Sequence, residues 1–76
     1  MAALRKPKPR KAIAERLKKF RLAAGISQEE AARRMDIARS QWCLIEQGEQ
    51  SIPAERIVDF AQLVKAHVTE LLGVAA

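Results

Sequence analysis

Between Ser27 and Gly48 the sequence places two short helical patterns almost back to back, and few folds can use that spacing. Ser27-Gln28-Glu29-Glu30 sets a serine three residues ahead of a glutamate, the pairing that closes a helix N-terminus reciprocally as a capping box. The helix it opens runs to about Met35 with Ala31, Ala32 and Met35 inward, and the small Ala32 lets a second backbone come close. Asp36 then interrupts the pattern; aspartate tolerates a left-handed backbone better than most residues, and Ile37 is apolar enough to anchor the turn in a core. The next helix, from about Arg39 to Gln47, carries Trp42 and Ile45 as its buried pair and ends at Gly48. Its other face displays Arg39, Ser40, Gln41, Cys43 and Leu44, with no apolar stripe and several hydrogen-bonding groups near the helix start.

The flanking sequence supplies the rest of a core. Ile13, Leu17, Phe20 and Ala24 recur at helical steps, which predicts a first helix from about Ala12, stopped by Gly25. Beyond a polar loop, Pro53 suits the first turn of a fourth helix whose inward stripe is Ile57, Phe60, Ala61 and Val64. Val68, Leu71 and Leu72 fit a short fifth helix, with Gly73 as its stop. The expected architecture is all-α, a compact bundle of five short helices over residues 12–76. Residues 1–11 are expected to be a disordered basic arm, because Pro7 and Pro9 interleave with Arg5, Lys6, Lys8, Arg10 and Lys11 and almost nothing there is apolar.

Composition narrows the function classes. A chain of 76 residues holds one core, and its three aromatic residues (Phe20, Trp42, Phe60) leave most of that core to aliphatic side chains. Cys43 is the single cysteine and no Cys/His cluster has zinc spacing, so neither a disulfide nor a metal staples the fold. A reducing cytoplasm is the expected setting, and no apolar run approaches the roughly 18 residues that cross a bilayer. No carboxylate pair, activated nucleophile or phosphate-binding loop is written in the chain, which predicts no enzyme and no cofactor. The net charge of +5 is uneven: five basic residues fall within Arg5–Lys11, while beyond them nine basic residues face nine acidic ones.

An α-helix is about as wide as the major groove of B-DNA, so two short helices joined by a tight turn let the second reach base edges while the first crosses the backbone. The run RLKKFRLAAGISQEEAARRMDIARSQWCLIEQGEQSIP, within Ile13 to Leu72, resembles the lambda-repressor-like helix-turn-helix family of Cro and XRE type. The resemblance rests on Arg21, Gly25, Ser27-Gln28, Ala32, Ile45-Glu46 and Gly48 in order and without gaps. It departs from the family at Asp36, where glycine is usual, at Ala38, where a serine or threonine cap is usual, and at Ala31, where leucine is usual. The resemblance implies base contacts from Arg39, Ser40 and Leu44, with Gln41 and Cys43 as neighbours. It implies phosphate contacts from Gln28, with Ser27 beside it, and from Gln47, and an ion pair between Arg21 and Glu46. The arm would add Arg10 and Lys11 along phosphates, a salt-dependent affinity with little sequence information.

The function these readings imply is a sequence-specific regulator of transcription, a repressor by expectation, bound as a homodimer to a two-fold DNA operator. Val68, Leu71, Leu72 and Val74 are the expected protein interface. The competing reading is a protein-interaction module, such as an antitoxin-type partner of a toxin or an adaptor, favoured slightly by the neutral charge beyond the arm. Of the remaining chemistry-bearing residues, Trp42 reads as core, His67 as a solvated or helix-capping residue, and Cys43 as a free thiol without a special role.

Overall fold

The first helix begins earlier than its apolar periodicity suggests. In the computed structural model, which describes residues 9–73, α1 spans Pro9–Ala23, so Pro9, Arg10 and Lys11 form its opening turn rather than the end of an arm. The physical reason is that the first N–H groups of a helix need no intrahelical partner, so a proline fits the first position and presets its φ. Residues 1–8 of the expected arm lie outside the described residues. Ala14 and Leu17 are buried, and Ile13, Phe20 and Ala24 pack against the core from its edge.

Helix α2 spans Gln28–Met35 and α3 spans Arg39–Glu46. Ser27 Oγ accepts a hydrogen bond from the Glu30 N–H at 3.0 Å, which is one half of the expected capping box. The reciprocal half is absent: the Glu30 carboxylate binds Arg33 (2.6 Å) and Arg34 (2.7 Å) one turn ahead. Those hydrogen bonds, from Arg33 first, hold its carboxyl below the usual range. Two charge-assisted bonds to guanidinium groups outcompete one to a neutral N–H.

Between α2 and α3 the chain turns at Asp36, which is left-handed at φ 58° and ψ 46°. Ile37 tucks against the core beside it. Past α3, Pro53 does not open the fourth helix directly. It precedes a 3₁₀ turn, Ala54–Arg56, that feeds α4 (Ile57–Leu63), and a second left-handed residue, Lys65, leads to α5 (Val68–Leu72).

The core joins all five helices. Its largest fully buried side chains are Trp42, Phe60, Leu17, Ile45 and Leu71, so α3 contributes two, α1, α4 and α5 one each, and α2 adds Ala31, Ala32 and Met35. Trp42 and Phe60 lie parallel with ring centroids 5.3 Å apart, fastening α3 to α4. The helices meeting in sequence far apart are also stitched: Arg16 donates to the carbonyls of Leu71 and Leu72, both at 2.9 Å, and so satisfies the open C-terminal end of α5. No helix among the described residues is long and apolar enough to cross a membrane.

Gly48 closes α3 under two constraints at once. Its φ is +78°, which costs a side-chain-bearing residue, and a Cβ there would sit 3.1 Å from the Lys11 backbone. The first turn of α1 therefore rests against the end of α3.

Candidate nucleic-acid interface

Two sides of α3 differ in kind. At about 100° per residue, Arg39, Cys43, Gln47, Ser40 and Leu44 fall on one arc of about 140°, Trp42 and Ile45 fall on the other side, and Glu46 borders the arc next to Arg39. Trp42, Ile45 and Glu46 are buried, whereas Arg39, Ser40, Leu44 and Gln47 are exposed. Cys43, inside that arc, and Gln41, beyond its Leu44 end, are half-buried. The structure thus brings Arg39, Ser40, Cys43, Leu44 and Gln47 together on one surface and places Gln41 at its edge. Leu44 keeps 43 % of its surface exposed, a large apolar side chain with no cover among the described residues.

The inward side holds a charge that would be unstable alone. Glu46 is buried and accepts from Arg21 Nε at 2.5 Å, Arg21 Nη2 at 3.2 Å, Trp42 Nε1 at 2.7 Å and Gln28 Nε2 at 3.0 Å. The remaining Arg21 nitrogen, Nη1, donates to the Ile26 carbonyl at 2.7 Å. Desolvation pushes the Glu46 carboxyl up, but the bonds from Arg21, Gln28 and Trp42 outweigh it and hold it below the usual carboxylate range. A bidentate pair with its remaining lone pairs satisfied is the geometry in which burying two charges is tolerable. Arg21 comes from α1, Gln28 from α2 and Trp42 from α3, so one carboxylate fixes three helices around the turn.

Gln28 is the residue whose placement differs most from a free phosphate contact. Its amide nitrogen serves Glu46, and its oxygen accepts from the Cys43 thiol at 3.4 Å. One amide hydrogen and one lone pair of Gln28 remain for any further partner. Ser27 is exposed with its hydroxyl committed to the cap of α2. At the start of α3, Ala38 supplies no side-chain cap, so the N–H groups of the first turn have no side-chain acceptor.

Charge on this surface is sparse but available. Arg39 is exposed and in no ion pair among the described residues, whereas Arg33 and Arg34 of α2 are both held by Glu30. Lys11 is exposed beside Gly48, while Arg10 is only partly exposed and turns its Nε inward. Among the described residues no cluster of His, Cys, Asp and Glu has the arrangement of a metal site.

Residue reasoning missed the Trp42–Glu46 hydrogen bond and the Gln28 amide in the same network. The four-residue spacing of Trp42 and Glu46 was the available signal, since residues so spaced share a helix face. Leu71, expected at a protein interface, is fully buried because α5 needs an apolar anchor under α1; Leu72 and Val68 keep exposed surface, and Val74 lies outside the described residues.

With this geometry in hand, similarity to known proteins is informative. A family model of the helix-turn-helix domain matches residues 12–72. No curated protein sequence matches the chain significantly. Among solved structures, the clp gene regulator ClgR from Corynebacterium glutamicum superposes with a TM-score of 0.83 at 22 % identity, covering 90 % of this chain and 87 % of that one. The restriction-modification controller protein C.AhdI from Aeromonas hydrophila gives 0.73 at 27 % identity, over 82 % of this chain and 94 % of its own. A hypothetical transcription factor from Neisseria gives 0.75 at 26 % identity, over 91 % and 83 %. The chain therefore belongs to the helix-turn-helix domain family in its lambda-repressor-like form, the fold of DNA-binding transcription regulators.

Proposed function

We propose that the domain binds duplex DNA sequence-specifically as a cytoplasmic transcriptional regulator, a repressor, with α3 laid in the major groove. The observation that carries this reading is the divided character of α3, whose inner side is locked by Trp42 and the Glu46 network while Arg39, Ser40 and Leu44 stand free. Rigid placement matters because base readout depends on hydrogen-bond geometry, and Arg39 can bind guanine bidentately. Ser40 and Gln41 read more permissively, Leu44 offers apolar contact to a thymine methyl, and Cys43 lies beside them. Gln28, Ser27, Gln47 and Lys11 surround the arc as phosphate contacts, joined by the uncapped N–H groups of α3. The regulatory roles of ClgR and the controller protein, as their names state them, support the same reading here.

A domain of this size covers little DNA, so two copies on half-sites about one helical turn apart complete the reading. Val58 (48 % exposed) and Leu72 (38 %), with the partly exposed Val68, leave apolar surface on α4 and α5 for the second copy. The direct test is selection of bound duplexes from a random pool, followed by fluorescence anisotropy on Arg39→Ala. Preference at one base position per half-site should relax by about 1–3 kcal/mol. If the variant bound every sequence as the parent does, α3 would not be the reader. Sedimentation that found only monomers, with and without DNA, would remove the two-fold operator. A co-purifying protein seated on α3 would favour an antitoxin-type interaction module instead.

A further inference from the structure

Cys43 lies inside the outward arc of α3, between Arg39 and Gln47, yet it is half-buried while both of those neighbours are exposed. The group its thiol meets comes from α2. Cys43 Sγ donates to Gln28 Oε1 at 3.4 Å, and the other end of the same carboxamide, Nε2, donates to Glu46 Oε1 at 3.0 Å. A carboxylate only accepts and a thiol has one hydrogen to give, so the amide sits with its nitrogen toward Glu46 and its oxygen toward Cys43. With the Glu46 bond alone, the Gln28 carboxamide could turn about the line joining the two groups. The second bond, from Cys43, fixes its plane.

We propose that Cys43 is a positioning residue for DNA binding: its thiol holds the Gln28 carboxamide in the plane that offers the remaining N–H to a DNA phosphate, and it reads no base. This role rests on the reading of α3 as the groove-bound helix, which lays α2 across the DNA backbone. It differs from the base contact that Cys43's place on the arc suggests. The thiol's one hydrogen is committed to Gln28 and is not available to a base edge. Phosphate oxygens only accept, and the free N–H of Gln28 is the donor that matches them. Fixing the carboxamide before DNA arrives removes an ordering cost that binding would otherwise meet.

Fluorescence anisotropy tests the role, on the duplex that the parent chain selects from a random pool and on duplexes with one base pair changed. Cys43→Ala should weaken binding about threefold to tenfold, the range for ordering one such side chain, and by the same factor on every duplex, because a phosphate contact carries no sequence information. Cys43→Ser keeps a donor in place and should bind within about twofold of the parent. In a Gln28→Ala background Cys43→Ala should change nothing further, the non-additivity of two residues that act as one. Thermal unfolding establishes that each variant is folded. A readout free of DNA accompanies these: the side-chain amide protons of Gln28, followed by nuclear magnetic resonance, should shift in Cys43→Ala and return toward the parent's positions in Cys43→Ser. Altered preference at one base pair in Cys43→Ala would overturn the proposal by making Cys43 a reader. So would an undiminished affinity, additive losses in the double variant, or Gln28 amide protons indifferent to residue 43. A parent chain that prefers no duplex is a separate failure, visible before any substitution is made, and it removes the DNA reading and this role with it.

Discussion

The turn from α2 to α3 and the turn from α4 to α5 share one backbone design and serve different ends. In each, a non-glycine residue at φ 58° closes the first helix, Asp36 in one and Lys65 in the other. Each turn is tied by the same two hydrogen bonds: Asp36 N–H to Arg33 and Ile37 N–H to Ala32, against Lys65 N–H to Gln62 and Ala66 N–H to Ala61. An N-cap residue in extended conformation follows, Ala38 and His67 respectively. Yet α5 buries only the apolar Leu71, whereas α3 buries the charged Glu46 beside Trp42 and Ile45. The difference teaches that the turn does not make a probe. What makes one is the anchorage on the inner side of the second helix, where Glu46 binds α1, α2 and α3 together and no comparable network lies beneath α5 among the described residues.

The comparison breaks most severely at Glu46. Glu46→Ala strands the Arg21 guanidinium in the interior and should cost about 3–5 kcal/mol, a large share of the stability of so small a domain, read by chemical denaturation. Replacing both partners together, Arg21→Met with Glu46→Leu, should recover most of that loss; a double variant as unstable as the single one would show that the pair supplies more than mutual compensation. The sign of the pH effect follows from the lowered carboxyl of Glu46. Its contribution is complete above the ordinary glutamate value of about 4.3 and fades as pH falls through the lower folded value. The acid limb of the stability curve should therefore flatten in the double variant.

Gly48 marks where the probe helix ends, and Gly48→Ala should cost about 1–3 kcal/mol from its left-handed backbone and the contact with Lys11. Gly25→Ala tests the conformational part alone, because no atom lies within 4 Å of a Cβ there. It should lose about 1 kcal/mol, and equal losses at the two sites would remove the Lys11 contact from the explanation. The smallest effect distinguishes the two turns themselves. Lys65→Gly should gain about 0.5–1 kcal/mol by relieving its backbone, and Asp36→Gly less, since aspartate already tolerates that conformation. Midpoints of thermal unfolding shifted in the opposite order would refute the shared design.

The amino-acid pattern carried α2, the Asp36 turn and α3 to within a residue because their signals are local: a serine cap, a tolerant aspartate, a terminal glycine. It failed where choices are made at a distance. Glu30 had two equally local options, and the pattern could not weigh Arg33 and Arg34 against the Ser27 N–H. Arg10 looked like tail because prolines surround it, while a proline at the first position of α1 is what lets the helix start there. Gln28 was legible as a surface residue at a helix start, but its commitment to Glu46 and Cys43 depends on where α3 lies in space.

The two hydrogen bonds from Arg16 to the end of α5 have a consequence for folding. They join residues 55 and 56 positions apart, so the chain must close nearly its whole described length before they can form. The last helix then cannot peel away without giving up both of these bonds and exposing Leu71. Amide exchange in α1 and α5 should accordingly be governed by one shared opening, with the two ends released together rather than fraying in turn.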